Sequence, residues 1–216
     1  MRRPAAAAAL ALFAAACAAP PERPRASSAP MSTEQRVEAI LRDARMSEHE
    51  ADANVRAQLA EDAGREADSC RAAEPQAAGC LYGYALALGL QARAHPAHAG
   101  ESLKRMLAEL EAAEAADALY DEAGPARVRA LVLTRAPGWP LGPGDPAAAV
   151  VAARRAVNLR PQYPPNQLAL AEALARNGEA TAAREAYQGA HEAALELPQS
   201  ADRDEWLHEA ERALQH

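Results

Sequence analysis

The stretch LALAEALARNGEATAAREAY, Leu168 to Tyr187, decides the fold. Leu170, Ala171 and Leu174 recur at the three- and four-residue spacing of one helical face, and Ala183, Tyr187 and Ala190 do the same beyond Gly178. Small residues on both faces let two helices approach closely. Gly178 falls between them, where the first helix is expected to end and the second to begin. Leu168 to Tyr187 is therefore a helical hairpin.

Working outward, Asp145 and Pro146 read as an N-cap and first helical residue, and the helix they open ends before Pro161. Pro164, Pro165 and Asn166 lead into the hairpin above. Its second helix runs from about Glu179 to Leu195, and a closing helix from Ala201 places Trp206, Leu207, Ala210 and Leu214 on one face. Upstream, the spacing predicts a helix near Pro125 to Arg135, then the turn-rich segment APGWPLGPGDP, Ala136 to Pro146. Ser32 with Gln35 and Ser47 with Glu50 each fit a capping box, so helices are expected to start near Thr33 and Glu48. A helix from about Gln76 to Arg93 has almost no polar face and should be the most buried. The helix that follows, from near Glu101, carries Leu103, Met106, Leu107 and Leu110 on one side. Alanine dominates and alternating β-branched runs are absent, which leaves strands little support.

Three hairpins can be laid in register. One surrounds Gly178; a second runs back from Pro161 with Ala149, Ala153 and Ala156 at the small positions and Gly144 between its helices. A third has Tyr82, Gly83 and Leu86 in its first helix. Successive hairpins of this kind define an all-α superhelix of tetratricopeptide-like helical hairpins.

The first twenty residues, MRRPAAAAALALFAAACAAP, have the layout of an export signal: Arg2 and Arg3, then an apolar run from Ala5 to Ala16 too short to span a bilayer. Ala14 to Cys17 resembles a bacterial lipobox, although Ala14 stands where a larger aliphatic residue is preferred. Cys17 is then the lipidation site; the alternative is a soluble periplasmic protein. The expected organisation is a signal over 1–17, a disordered tether over 18–30, and a helical-repeat domain over 31–216. Of three cysteines, Cys70 and Cys80 remain once Cys17 takes lipid. An exported setting favours a disulfide between them, against the alternative of two buried thiols. Removal of Arg2 and Arg3 takes the formal charge from −7 to about −9, and no basic stripe offsets it, so nucleic acid is excluded as a partner.

No catalytic constellation stands out. None of the six histidines lies in a zinc-protease motif, and His95 and His98 lack nearby ligands, so no metal is assigned. No glycine-rich phosphate loop or nucleophile elbow occurs, no cofactor is called for, and the chain reads as no enzyme. Candidate binding residues are aromatic or polar. Trp139 lies between prolines in a loop, either as an exposed anchor or as a plug in its own hairpin. Tyr82, Tyr84 and Tyr187 are either core or cavity wall. Arg127, Asn166 and Glu172 could join adjacent hairpins as a buried polar network.

Four segments resemble a known family, the T-component lipoproteins of tripartite ATP-independent periplasmic (TRAP) transporters. They are YDEAGPARV (Tyr120 to Val128), APGWPLGPGDP, RRAVNLRPQYPPN (Arg154 to Asn166) and the opening hairpin. The Pro-Gly-Trp-Pro element followed by Gly-Asp-Pro is the most specific, since a generic hairpin has no use for it. The chain departs from the family where Ala123 and Gly124 replace paired glycines and Ala130 replaces a glycine. The resemblance implies a periplasmic protein, lipid-anchored at the outer membrane, that self-assembles and cooperates with a solute-binding P-component. It also implies an apolar cavity for an organic small molecule. The competing expectation is a tetratricopeptide scaffold at the outer membrane that binds envelope proteins and no solute.

Overall fold

A computed structural model describes residues 31–215. The expected signal, the Cys17 lipidation site and the 18–30 tether lie outside these residues. Ser32 caps the first helix, α1 (Thr33–His49): its hydroxyl accepts from the Gln35 N–H, and the Gln35 side chain accepts from the Ser32 N–H at 2.9 Å. The second capping box does not form. Ser47 falls on the face of Val37 and Ile40 and is buried inside α1, so the helix runs one turn further. Asp52 instead caps α2 (Ala53–Ala73), accepting from the Asn54 N–H at 2.8 Å.

The apolar helix predicted from Gln76 is α3 (Ala78–Ala94), with nine buried residues. A 3₁₀ turn, Pro96–His98, leads to α4 (Ala99–Ala116). Then come α5 (Tyr120–Arg135), α6 (Pro146–Leu159), α7 (Pro164–Arg176), α8 (Ala180–Leu195) and α9 (Ala201–Leu214). Nine α-helices and no strand occur among the described residues, and the fold is all-α. Consecutive helices pair as hairpins, α1 with α2, α3 with α4, α5 with α6 and α7 with α8, while α9 packs on α8.

Sequence chemistry sets the corners. Between α7 and α8, Gly178 takes φ +86°, with its N–H on the Ala175 carbonyl and the Glu179 N–H on the Leu174 carbonyl, a pattern that satisfies two terminal carbonyls. Asp145 caps α6 through the Ala148 N–H at 3.0 Å. Cys70, in the last turn of α2, and Cys80, in the first of α3, are joined by a disulfide with Cα atoms 5.3 Å apart. Alanine fills much of the core, with Ala130, Ala149, Ala153, Ala171 and Ala183 packed where α5 to α8 meet. Side chains this small bury little apolar area each, and their contribution comes through close helix approach. α9 closes the stack less tightly than its apolar stripe suggests: Ala210 is buried, but Trp206 and Leu207 are only partly covered.

Candidate functional site

The first turn of α5, just past the α4–α5 corner, carries the most unusual backbone among the described residues. Asp121, Glu122 and Ala123 lie in the left-handed region, at φ 48°, 54° and 64°, before right-handed helix resumes. Left-handed conformation costs a residue with a Cβ roughly 1–2 kcal/mol, so three in succession must be held by their surroundings.

Arg127 holds them. Its Nη1 donates to the carbonyls of Asp121 (3.1 Å) and Glu122 (3.2 Å), and its Nη2 to Asp121 Oδ2 at 2.8 Å. From α7, Asn166 accepts from Arg127 Nη1 at 3.2 Å, and its Nδ2 lies 3.1 Å from the Glu122 carbonyl. From α3, the Tyr82 hydroxyl donates to Asp121 Oδ2 at 2.7 Å. A Cβ at position 124 would stand 2.7 Å from Asp121 Oδ2 and 2.8 Å from the Tyr82 oxygen, which only glycine avoids. Burial pushes the Tyr82 phenol well above its ordinary 10.0; the Asp121 carboxylate adds to this and Arg127 opposes it.

Aromatic contacts extend the cluster in both directions. Tyr120 meets Tyr82 edge to face at 5.5 Å; the Arg127 guanidinium lies 5.1 Å from the centre of the Tyr163 ring, and Tyr163 meets Trp206 edge to face at 5.6 Å. A line of interacting side chains thus runs from α3 through α5 and α7 to α9.

Beyond it lies a groove between α5, α7 and α9. Arg135 grips Glu172 with Nε and Nη2, at 2.8 Å to Oε1 and 2.7 Å to Oε2. A cavity of about 130 Å³ beside this pair is lined by Leu131, Pro165, Leu168, Trp206 and Glu209; a second, of about 500 Å³, continues past Thr134 and Arg176. Burial raises the Glu209 carboxyl above its usual range, with Glu172 acting in the same sense and Arg135 against it. On the other side of α5 a groove of about 410 Å³ is lined by Lys104, Leu107, Glu111 and Arg129.

Between α5 and α6 the chain folds back on itself. The Gly144 N–H bonds the Pro137 carbonyl and the Asp145 N–H the Leu133 carbonyl, each at 2.9 Å. A Cβ on Gly142 would meet the Pro137 carbonyl at 2.6 Å, and one on Gly144 would collide with the Ala136 carbonyl. This tightly closed loop leaves Trp139 90% and Leu141 77% exposed.

Of the candidate residues, Tyr82, Arg127 and Asn166 come together, all buried. Glu172 does not join them, since it lies nearly two turns further along α7 and meets Arg135 instead. Trp139 does not plug its hairpin, because its ring is exposed on the closed loop. Tyr84 lies apart, with the Arg71 guanidinium 4.7 Å from its ring centre and Arg105 donating to its hydroxyl at 3.0 Å. Tyr187 is partly buried against the α5–α8 core. Sequence reasoning missed Asp121, Tyr163 and Glu209. Asp121 carried a signal in the acidic pair before Ala-Gly-Pro, but nothing in that run announces a left-handed turn.

The chain matches no protein-family model and no curated protein.

Proposed function

We propose that this protein is a periplasmic, lipid-anchored accessory protein of the T-component kind, which binds a solute-binding partner protein and takes a small organic solute on the inner surface of its hairpin stack. The observation that carries it is the loop from Ala136 to Asp145. It is the element on which the family resemblance is most specific, and it offers two large apolar side chains to solvent on a backbone already closed by hydrogen bonds. Preorganised aromatic residues lose little freedom on binding, which makes them effective anchors for a partner. None of the described helices is long and apolar enough to cross a membrane, so attachment in this reading comes through lipid at Cys17.

A photocrosslinking amino acid at position 139, introduced in the native host, tests it. The expected product is a covalent adduct with a periplasmic solute-binding protein, lost when Leu141 is changed to Asp. Adducts only with other envelope proteins would favour the tetratricopeptide scaffold. That second reading has one observation on its side: two cavities, of about 410 and 500 Å³, have charged residues in their walls, where an apolar solute chamber would call for apolar ones.

A further inference from the structure

We infer that the groove between α5, α7 and α9 is a binding site for the ammonium group of a small organic solute, held between Glu209 and Trp206. This deepens the solute-binding half of the proposed function and rests on it.

The site has two parts. Its walls are mixed: Leu131 from α5, Pro165 and Leu168 from α7 and the Trp206 ring from α9 stand beside Arg127, Arg135 and Glu172 around a cavity of about 130 Å³, room for roughly four or five non-hydrogen atoms. Its charge is unbalanced. Arg127 is paired with Asp121, and Arg135 with Glu172. Glu209 has no ion-pair or hydrogen-bond partner among the described residues, although it is half-buried. The other charged groups bearing on it are Glu205 and Arg212, both on α9. Glu205 is exposed, and Arg212 is occupied with the His208 carbonyl at 3.4 Å. Tyr187, on α8, is a neutral phenol.

A lone carboxylate held partly away from water is penalised as long as it stays unpaired, and a cation entering the cavity removes the penalty. The Trp206 face adds attraction for the same cation. A metal ion would need several oxygen ligands, whereas a single unpaired carboxylate beside an aromatic ring and aliphatic side chains suits an ammonium with a short alkyl chain. The longer part of a solute can follow the adjoining cavity of about 500 Å³ past Thr134.

The test uses the protein carrying W139F, which leaves Trp206 as the one tryptophan, titrated with n-butylammonium and with the neutral n-butanol. The expected result is a saturable change in Trp206 emission with butylammonium, at a dissociation constant of order 1 mM, and no saturation with butanol up to about 50 mM. E209Q should weaken butylammonium binding at least about tenfold, while E205Q leaves it within about twofold. Equal binding of butanol, or an unchanged constant in E209Q, overturns the ammonium assignment but leaves a solute-binding groove in place. No saturable change with either compound removes the site altogether. The position-139 crosslink reports on the partner half independently of all three outcomes.

Discussion

Replacing Asn166 with alanine should destabilise this protein far more than its single amide would suggest. Asn166 is fully buried, and its side chain sits among four partners: Arg127 Nη1 on its oxygen, and the carbonyls of Glu122, Ala156 and Arg160 around its nitrogen. The amide carries two hydrogens, so at most two of the three carbonyls are served at once. Two neutral bonds at about 1 kcal/mol each and one to a guanidinium at about 1.5–3 kcal/mol give roughly 3.5–5 kcal/mol. Each carbonyl keeps another donor, because Ala156 accepts from the Arg160 N–H, Arg160 from the Tyr163 N–H and Glu122 from Arg127. That moves the expected loss to the lower end, about 3.5 kcal/mol, or a fall in Tm of roughly 10 °C for a domain this size. Urea denaturation of N166A beside the exposed control Q188A measures it, and amide exchange at Asp121 to Gly124 should accelerate in N166A alone. A loss below about 1 kcal/mol, with exchange unchanged, would refute the view that Asn166 holds the left-handed turn.

Ala123 is fully buried yet sits at φ 64°, so A123G should change stability by less than about 1 kcal/mol, relief of strain offsetting the lost methyl, whereas A130G in the same helix should cost about 2 kcal/mol; paired melting curves compare them. The raised phenol of Tyr82 keeps its proton in the folded state where the unfolded chain has released it, so the stability this provides is complete below pH 10.0 and declines as pH rises beyond it. Y82F should flatten that alkaline decline in urea titrations while lowering stability at neutral pH through loss of the bond to Asp121. G144A should open the loop around Trp139, because its Cβ collides with the Ala136 carbonyl, and a protease should then cleave between Ala136 and Asp145, which it spares in the parent. W139A, by contrast, should melt within about 0.5 kcal/mol of the parent, since the ring is exposed, while abolishing capture of the partner.

Helix periodicity and termini were legible because they depend on neighbours in the chain. Gly178 as the end of one helix, Asp145 with Pro146 as the start of another, and the apolar run of α3 all act within a turn or two. Ser47 shows the limit: its spacing to Glu50 is that of a cap, but the face it shares with Val37 and Ile40 decided its place, and a tertiary contact outweighed a local signal. The Arg127–Asn166 pairing was legible as an option because two polar residues fell at helix positions facing inward. Asp121, 39 residues from Tyr82 and the first of three successive left-handed residues without glycine, was not, since long-range hydrogen bonds stabilise a turn that local propensity opposes.

Arg127 stands at the point where the two halves of the site meet. One edge of its guanidinium ties down the left-handed turn and Asn166; its face covers Tyr163, which in turn supports the Trp206 ring that walls the groove. The left-handed turn therefore does more than join two hairpins: it fixes the start of α5, and with it the spacing of Leu131 and Arg135 from α7 and α9. A groove built this way inherits its shape from the polar cluster through Arg127, which belongs to both, and loosening that cluster at Asn166 widens the cavity while every residue that lines it is kept. The strain of three left-handed residues is then the local cost of holding α5 against α7 and α9 in one register, and the N166A protein would show it as weaker butylammonium binding with Glu209 and Trp206 intact.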